Sequence, residues 1–404
     1  MPRPRVLVLG LNYAPELTGI APYTAGMAAG LTPDFDVEVV TAHPHYPEWK
    51  VATGYGGWRS SEDQDGVRVH RVKHYLPRNP TGLGRIASEA TFTARVLAPG
   101  VTRPDVIITV SPALAPVASA LALGRRWDVP VGVVVQDLYS KAFAELGLLG
   151  GRLDDRVHRF ERSLLHRADG VVAIHERMAD VIARDFDVPR SDITVIPNWT
   201  HVSQPSGDRT ARRRELGWDD GRFTVVHAGN MGAKQGLEHL IPAGRLIDAE
   251  RADIRMVLIG NGGQRRQLEE AARGVASIEF MDALPAETFM DTLAAADALL
   301  LHEKPGMKEM CVPSKLTTYF AARRPVIAVT EAESAAAHEV ASSQSGLLVR
   351  PGDPKEFVAA LATVKARDTM AMGEAGYAYA VRELSEVYAL IKYRGWVSRL
   401  VGGR

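Results

Sequence analysis

Two glycine-bearing loops that each follow an apolar run carry the residue types needed to hold a diphosphate. In the second half, Phe223-Thr224-Val225-Val226-His227-Ala228 leads into Gly229-Asn230-Met231-Gly232-Ala233-Lys234-Gln235-Gly236, and a helical pattern follows. Small residues such as Gly232 let a phosphate approach backbone amides, and the next helix N-terminus favours negative charge. Lys234 supplies a point charge for a leaving group, although the plain reading is a solvated lysine in a glycine turn. In the first half, Gly10-Leu11-Asn12-Tyr13-Ala14-Pro15-Glu16-Leu17-Thr18-Gly19 lacks the G-x-G-x-x-G spacing of a dinucleotide site. Gly19 nevertheless sits just before a helix, where an anion can meet amides. Glu16 reads either as a first-turn carboxylate or as an acceptor-side group.

Further stretches add to these loops. Gly260-Asn261-Gly262-Gly263 ends another apolar run with a loop suited to nucleotide contact, and Phe280 to Pro285, including Leu284, can wall a base. Glu303 to Leu316 follows a strand pattern and opens a helix, so Ser314 and Lys315 form a second cationic, amide-rich site. Asp137 follows Val131-Gly132-Val133-Val134-Val135; it can polarise an acceptor, hold donor hydroxyls, or cap the helix starting at Leu138. His43-Pro44-His45-Tyr46-Pro47 has the makings of a metal pair, but its place after the second strand suits the lining of an acceptor site by His45 and Tyr46. Asp34/Asp36, Asp63/Asp65 and Asp185/Asp187 read as surface turns rather than metal ligands, and no metal is expected.

The elements that must position these residues are legible as Val/Ile-rich runs, apolar throughout as in parallel strands covered on both faces. They fall at 5–10, 37–42, 67–72, 105–110, 131–136, 169–174 and 193–197, then at 223–228, 255–260, 277–281, 297–302, 325–330 and 346–349. Helical patterns lie between them, notably 20–31 and 152–167. The fold class is α/β: two doubly wound Rossmann-like domains facing across a cleft. The expected division is 1–202, a polar linker at 203–212, and 213–378, with a helix at about 379–404 packing back on the first domain.

With 404 residues, two cores are the natural expectation. Forty-eight basic against 48 acidic residues leave no net charge, which argues against nucleic acid as a partner. The single Cys311 cannot form an internal disulfide, which favours a reducing compartment. No secretory leader pattern opens the sequence, and no apolar run approaches the roughly 20 residues of a membrane span. A cytoplasmic protein is expected. Arg78, Arg85 and Arg95, interleaved with Leu83, Ile86 and Phe92, read as a helix docking on its own domain or as a peripheral contact with anionic lipid at the inner face of the membrane.

The ordered motifs resemble a family. Ile196-Pro197-Asn198 closes the first half, and Pro313-Ser314-Lys315-Leu316 and Pro325-Val326-Ile327 follow in the other half. Together they resemble retaining GT-B glycosyltransferases of family 4. Asn12 to Ile20 and the Gly229-to-Gly236 loop are similar to the colanic-acid and O-antigen fucosyl- or N-acetylfucosaminyltransferase subgroup. The resemblance implies a nucleotide-diphosphate sugar in the C-terminal domain, and a UDP-sugar is expected ahead of a GDP-sugar. A saccharide, lipid-linked or small-molecule acceptor would lie in the N-terminal one, with retention of configuration, no cofactor and no metal. The family's Glu-x7-Glu pair falls on Met310 and Thr318, with Glu309 one residue away, and its Arg and Lys pair falls near Asn230 and Gln235. Lys234 and Lys315 are then the substitutes for leaving-group charge, and Gln136-Asp137 stands where relatives carry a histidine. Gly19, Asn230, Gly232, Gln235, Gly260, Asn261, Leu284, Glu309, Met310, Pro313, Ser314 and Thr318 are the expected donor residues, and Glu16, His45 and Tyr46 the acceptor ones. A sugar-nucleotide epimerase and a non-catalytic nucleotide-sugar-binding protein are the rival readings.

Overall fold

The computed structural model describes residues 2–17, 19–77, 83–97, 100–141, 152–199, 204–306, 314–366 and 369–403. Contacts divide the chain into two units, Met1–Asn198 with Glu386–Arg404, and Trp199–Ser385.

Unit 1 is built on β1 (Arg5–Leu9), β2 (Asp36–Ala42), β3 (Arg59–Gln64), β4 (Val67–Val72), β5 (Val106–Val110), β6 (Val131–Val135), β7 (Gly170–Ala173) and β8 (Ile193–Val195). They lie in the order β3-β4-β2-β1-β5-β6-β7-β8, and every pairing is parallel except β3 with β4. Strands β5, β6 and β7 are buried at every residue, as their unbroken apolar content requires. Two carboxylates tie strand entrances together: Asp105 accepts the Arg5 amide at 2.7 Å and Asp169 the Val131 amide at 2.8 Å.

Unit 2 contains β9 (Phe223–Ala228), β10 (Ile254–Ile259), β11 (Ile278–Met281), β12 (Ala298–His302), β13 (Val326–Val329) and β14 (Gly346–Val349), all parallel, in the order β11-β10-β9-β12-β13-β14. In each sheet the chain winds outward from the first strand, then returns to its other side. The order therefore reverses between β1 and β5 in unit 1, and between β9 and β12 in unit 2. Such a reversal leaves a crevice beyond the carboxyl ends of the two strands, where ligands of open α/β sheets bind.

The expected strands lie within a residue or two of those observed, and three elements differ from expectation. Strand β3 has no counterpart in the sequence reading, because Arg-Ser-Ser-Glu-Asp-Gln is almost wholly exposed and has no apolar face. Residues 209–212, expected as linker, are the start of the helix Arg209–Glu215, whose Arg209 and Arg213 grip Asp297 of unit 2. The aromatic C-terminal stretch is two helices, Met370–Glu383 in unit 2 and Glu386–Gly402 in unit 1. The latter seats on glycines: a β-carbon at Gly132 would lie 2.5 Å from the Trp396 ring, and one at Gly30 2.4 Å from Leu390.

Candidate active site

In unit 2 the loops after β9, β10 and β12 interlock through glycines. Gly229 has φ +127° and Gly260 φ +130°, and a β-carbon on Gly260 would lie 2.2 Å from the Gly229 carbonyl oxygen. The Met231 amide donates to the Asn261 carbonyl at 2.8 Å, which staples the loop after β9 to the loop after β10. Asn261 Oδ1 takes Arg265 at 3.1 Å, and the Asn230 side-chain oxygen crowds Gly262. Gln235 reaches back so that its Oε1 accepts the Gly232 amide at 3.0 Å, while its carbonyl accepts from His302 Nδ1 at 2.7 Å. Lys234 is half-buried on the single 3-10 turn Ala233–Gln235, and its carbonyl accepts the Lys304 amide at 2.9 Å.

Lys315 is the deeper cation. Its stem passes under Gly229, where a β-carbon would meet Cε at 2.7 Å, and Nζ lies 3.2 Å from His227 Nε2. His227 Nδ1 donates to the Leu300 carbonyl at 3.0 Å, so Nε2 is the unprotonated nitrogen and the lysine is the donor. Burial drives the His227 pKa well below its ordinary value and lowers that of Lys315 to about 8, against the pull of Glu303. Burial also lowers His302 to about 4. The Ala228 amide donates to the Tyr319 hydroxyl at 3.0 Å, which fixes the helix Ser314–Ala321 against the end of β9. The result is a lysine ammonium beneath a glycine loop, at the reversal of strand order, with a neutral histidine behind it. Thr318 is half-buried on the same helix, and Leu284 packs on the core. Glu309, Met310 and Pro313 lie outside the described residues.

In unit 1 a pocket of about 180 Å³ opens at the corresponding reversal. Asn12 and Gly19 reach it from the loop after β1, His45, Tyr46 and Trp49 from the loop after β2, and Pro112 from the loop after β5. Arg85, Ser88 and Glu89 reach it from the helix Leu83–Val96. Gly19 has φ +68° and stands against the Tyr46 ring, which a β-carbon would meet at 3.5 Å. Glu16 does not line this pocket. Its buried carboxylate accepts the amides of His45 at 2.7 Å and Tyr46 at 2.9 Å through Oε1, and the Asn12 amide at 2.9 Å through Oε2. It is a fastener of the pocket wall, because its oxygens are already committed. His43 points elsewhere, its Nε2 3.2 Å from the Gly57 carbonyl.

Burial raises the Glu89 pKa to about 7, against the pull of Arg85, whose Nε is 3.7 Å away, and of the Leu114 amide that donates to the carboxylate. Asp137 accepts the Leu138 amide at 2.9 Å, but the helical turn that starts at Tyr139 is capped by Glu161, which accepts the Tyr139 and Ser140 amides at 2.8 and 2.9 Å. Two carboxylates, Asp137 and Glu161, thus accept amides at the start of this turn. Beside Asp137, Gln136 and Asn198 exchange amide hydrogen bonds of 3.2 and 2.8 Å.

Residues 18–199 match the family model of the glycosyl transferase 4-like domain, and residues 222–366 match that of the glycosyl transferases group 1. The chain belongs to the glycosyltransferases. A glycosyl transferase of Escherichia coli K12 named for colanic acid biosynthesis, WcaI, is 32% identical over 348 residues, covering 81% of this chain and 84% of that one. Among solved structures, sucrose-phosphate synthase from Thermosynechococcus elongatus superposes with a TM-score of 0.74 at 17% identity over the whole of both chains. Anabaena HepE in complex with UDP gives 0.69 at 16% identity over 99% of this chain and all of that one. The fold is thus the GT-B one, with two Rossmann-like α/β domains.

Within this glycosyltransferase, the structure gathers Asn230, Gly232, Lys234, Gln235, Gly260, Asn261 and Lys315 around adjacent loops of unit 2. It places Gly19, expected on the donor side, in the unit 1 pocket with His45 and Tyr46. Sequence reasoning missed Ser88, Glu89 and Trp49 in that pocket, and His227 in unit 2. His227 had a signal, a polar residue near the end of an otherwise apolar strand; Glu89 had only its place on an amphipathic helix. The helix Leu83–Val96, one of whose sequence readings is a lipid contact, turns inward in part: Phe92 is fully buried and Arg85 lines the pocket. Arg78 lies outside the described residues, and none of the described helices is long and apolar enough to cross a membrane. Among the described residues there is no group of three or more His, Cys, Asp or Glu side chains placed to hold a metal ion.

Proposed function

We propose that this glycosyltransferase moves a sugar from a UDP-sugar to an acceptor hydroxyl, with retention of configuration, in polysaccharide or glycoconjugate assembly. The observation that carries the donor reading is Lys315, a half-buried lysine whose stem runs under the Gly229 loop at the strand-order reversal of unit 2. A desolvated cation interacts with a diphosphate far more strongly than one in water, and it favours the state in which negative charge develops on the leaving oxygen. Lys234 adds a second cation at the rim. Asn230, Gly232, Gln235, Gly260 and Asn261 offer backbone and amide contacts to the nucleotide, with Leu284 toward the base. Glu309, Met310, Pro313, Ser314 and Thr318 are assigned to the donor by motif. Asp137 is assigned to the acceptor or donor hydroxyls by its place just beyond the carboxyl end of β6. The acceptor is assigned to unit 1, where His45 and Tyr46 line the pocket. HepE was solved in complex with UDP and WcaI is named for a polysaccharide pathway, which supports the nucleotide and the setting chosen here.

Calorimetric titration with UDP and GDP, followed by NMR of the product's anomeric proton, tests the reading. UDP should bind at least tenfold more tightly than GDP, a difference of about 1.4 kcal/mol. The new linkage should keep the donor's anomeric configuration, and transfer should persist in EDTA. Preference for GDP, an inverted product or dependence on added magnesium would each overturn the corresponding part. A C2-epimerised donor would reveal the epimerase instead, and binding without turnover a non-catalytic protein.

A further inference from the structure

Two buried side-chain atoms in the unit 1 pocket have no hydrogen-bond partner: Ser88 Oγ and Glu89 Oε1. Ser88 is 1% exposed and Glu89 6%, yet both line the pocket. Ser88 Oγ has given up water for nothing in return and Glu89 Oε1 for only the Arg85 guanidinium at 3.7 Å, beyond hydrogen-bond reach, so both oxygens mark either strain or a ligand. Aromatic rings also line the pocket. The His45 and Trp49 rings meet edge to face at 5.8 Å, and Tyr46 is 40% exposed beside them. Asn12 holds one side, its amide fixed by Glu16 at 2.9 Å.

We propose that Ser88 and Glu89 are the acceptor-recognition pair of this enzyme, hydrogen-bonding hydroxyls of one saccharide ring laid against the Trp49 and Tyr46 side of the pocket. This rests on the assignment of the acceptor to unit 1. The chemistry selects the class. A hydroxylated ring offers donors for Glu89 Oε1 and both donors and acceptors for Ser88 Oγ, while its C–H face suits an aromatic wall. A polyprenyl tail would leave both polar atoms unpaired against hydrocarbon. A phosphate would meet the Glu89 carboxylate, and a cation would meet Arg85, which already stands 3.7 Å from that carboxylate.

The test is saturation-transfer NMR and calorimetry on the full chain with UDP present. The probes are the methyl glycosides of glucose, galactose, mannose, N-acetylglucosamine and fucose. At least one glycoside should bind the wild type. Ser88→Ala should weaken it by about fivefold or more, the expectation for one lost hydrogen bond, and Glu89→Gln should weaken it similarly. Both variants should melt at or above the wild-type temperature. Ser88 Oγ contributes no hydrogen bond within the protein, and a glutamine oxygen can still accept the Leu114 amide. Absence of binding by every glycoside, unchanged affinity in both variants, or a fall in melting temperature that parallels the loss of binding would each overturn the proposal. UDP titration of the wild type alone reports separately on the donor reading, so failure of one is distinguishable from failure of the other.

Discussion

Lys315 shows how a single side chain can be held at a cost to the fold that carries it. Its ammonium has lost water and has a neutral histidine, rather than a carboxylate, as its closest polar partner. The lowered pKa, about 8 against an ordinary 10.5, means that the folded protein resists protonating it. The penalty is fully present below pH 8 and is relieved as pH rises toward the unfolded value. Lys315→Met removes the titration, so the stability of that variant relative to wild type should be greatest at pH 7. The balance should shift toward wild type by on the order of 3 kcal/mol by pH 10.5, read from denaturant midpoints at each pH. A difference independent of pH would show that the lysine is not desolvated in solution. UDP affinity should fall more than tenfold in the same variant at pH 7.

At the scale of elements, the loops after β9 and β10, proposed above to hold the donor, meet most closely at Gly229 and Gly260. Gly260→Ala combines a backbone conformation that L-residues avoid with a β-carbon 2.2 Å from a carbonyl oxygen. It should cost roughly 2–4 kcal/mol of stability and weaken UDP binding, measured by thermal melting and calorimetry. Alanine tolerated at full stability and affinity would mean that the loops are not interlocked. These loops were legible in the sequence because glycine after a Val/Ile run is a local signal. Strand β3 was not, since its exposed polar residues carry no apolar alternation; the clue was Asp65-Gly66, whose φ values of +49° and +79° make the tight turn of a hairpin. Ser88 and Glu89 were illegible for a different reason. Only the sheet order brings the helix Leu83–Val96 beside the loops after β1 and β2, and no local pattern announces that meeting. Glu16 was legible as important but not in role, because its partners lie about 30 residues away.

At the scale of the molecule, unit 1 is assembled from both ends of the sequence. The helix Glu386–Gly402 places Trp396 over Gly132 and Gly170, where a β-carbon would lie 2.5 and 3.1 Å from the indole. Trp396→Ala should therefore cost about 3–5 kcal/mol, as large aromatic truncations in cores do. Removing residues 386–404 should lower or abolish the unit 1 transition in calorimetry, while the unit 2 transition, identified by its rise with UDP, stays in place. Equal loss in both transitions would contradict a boundary at Ser385 and Glu386. The same feature orders events at the ribosome. Everything from Trp199 to Ser385 must be translated before the closing helix exists, a delay of roughly 10–40 s at cellular elongation rates of about 5–20 residues per second. The C-terminal domain is thus the first to be complete, and the nascent N-terminal domain waits with its apolar seat for Trp396 uncovered. That interval is when a chaperone has something to bind.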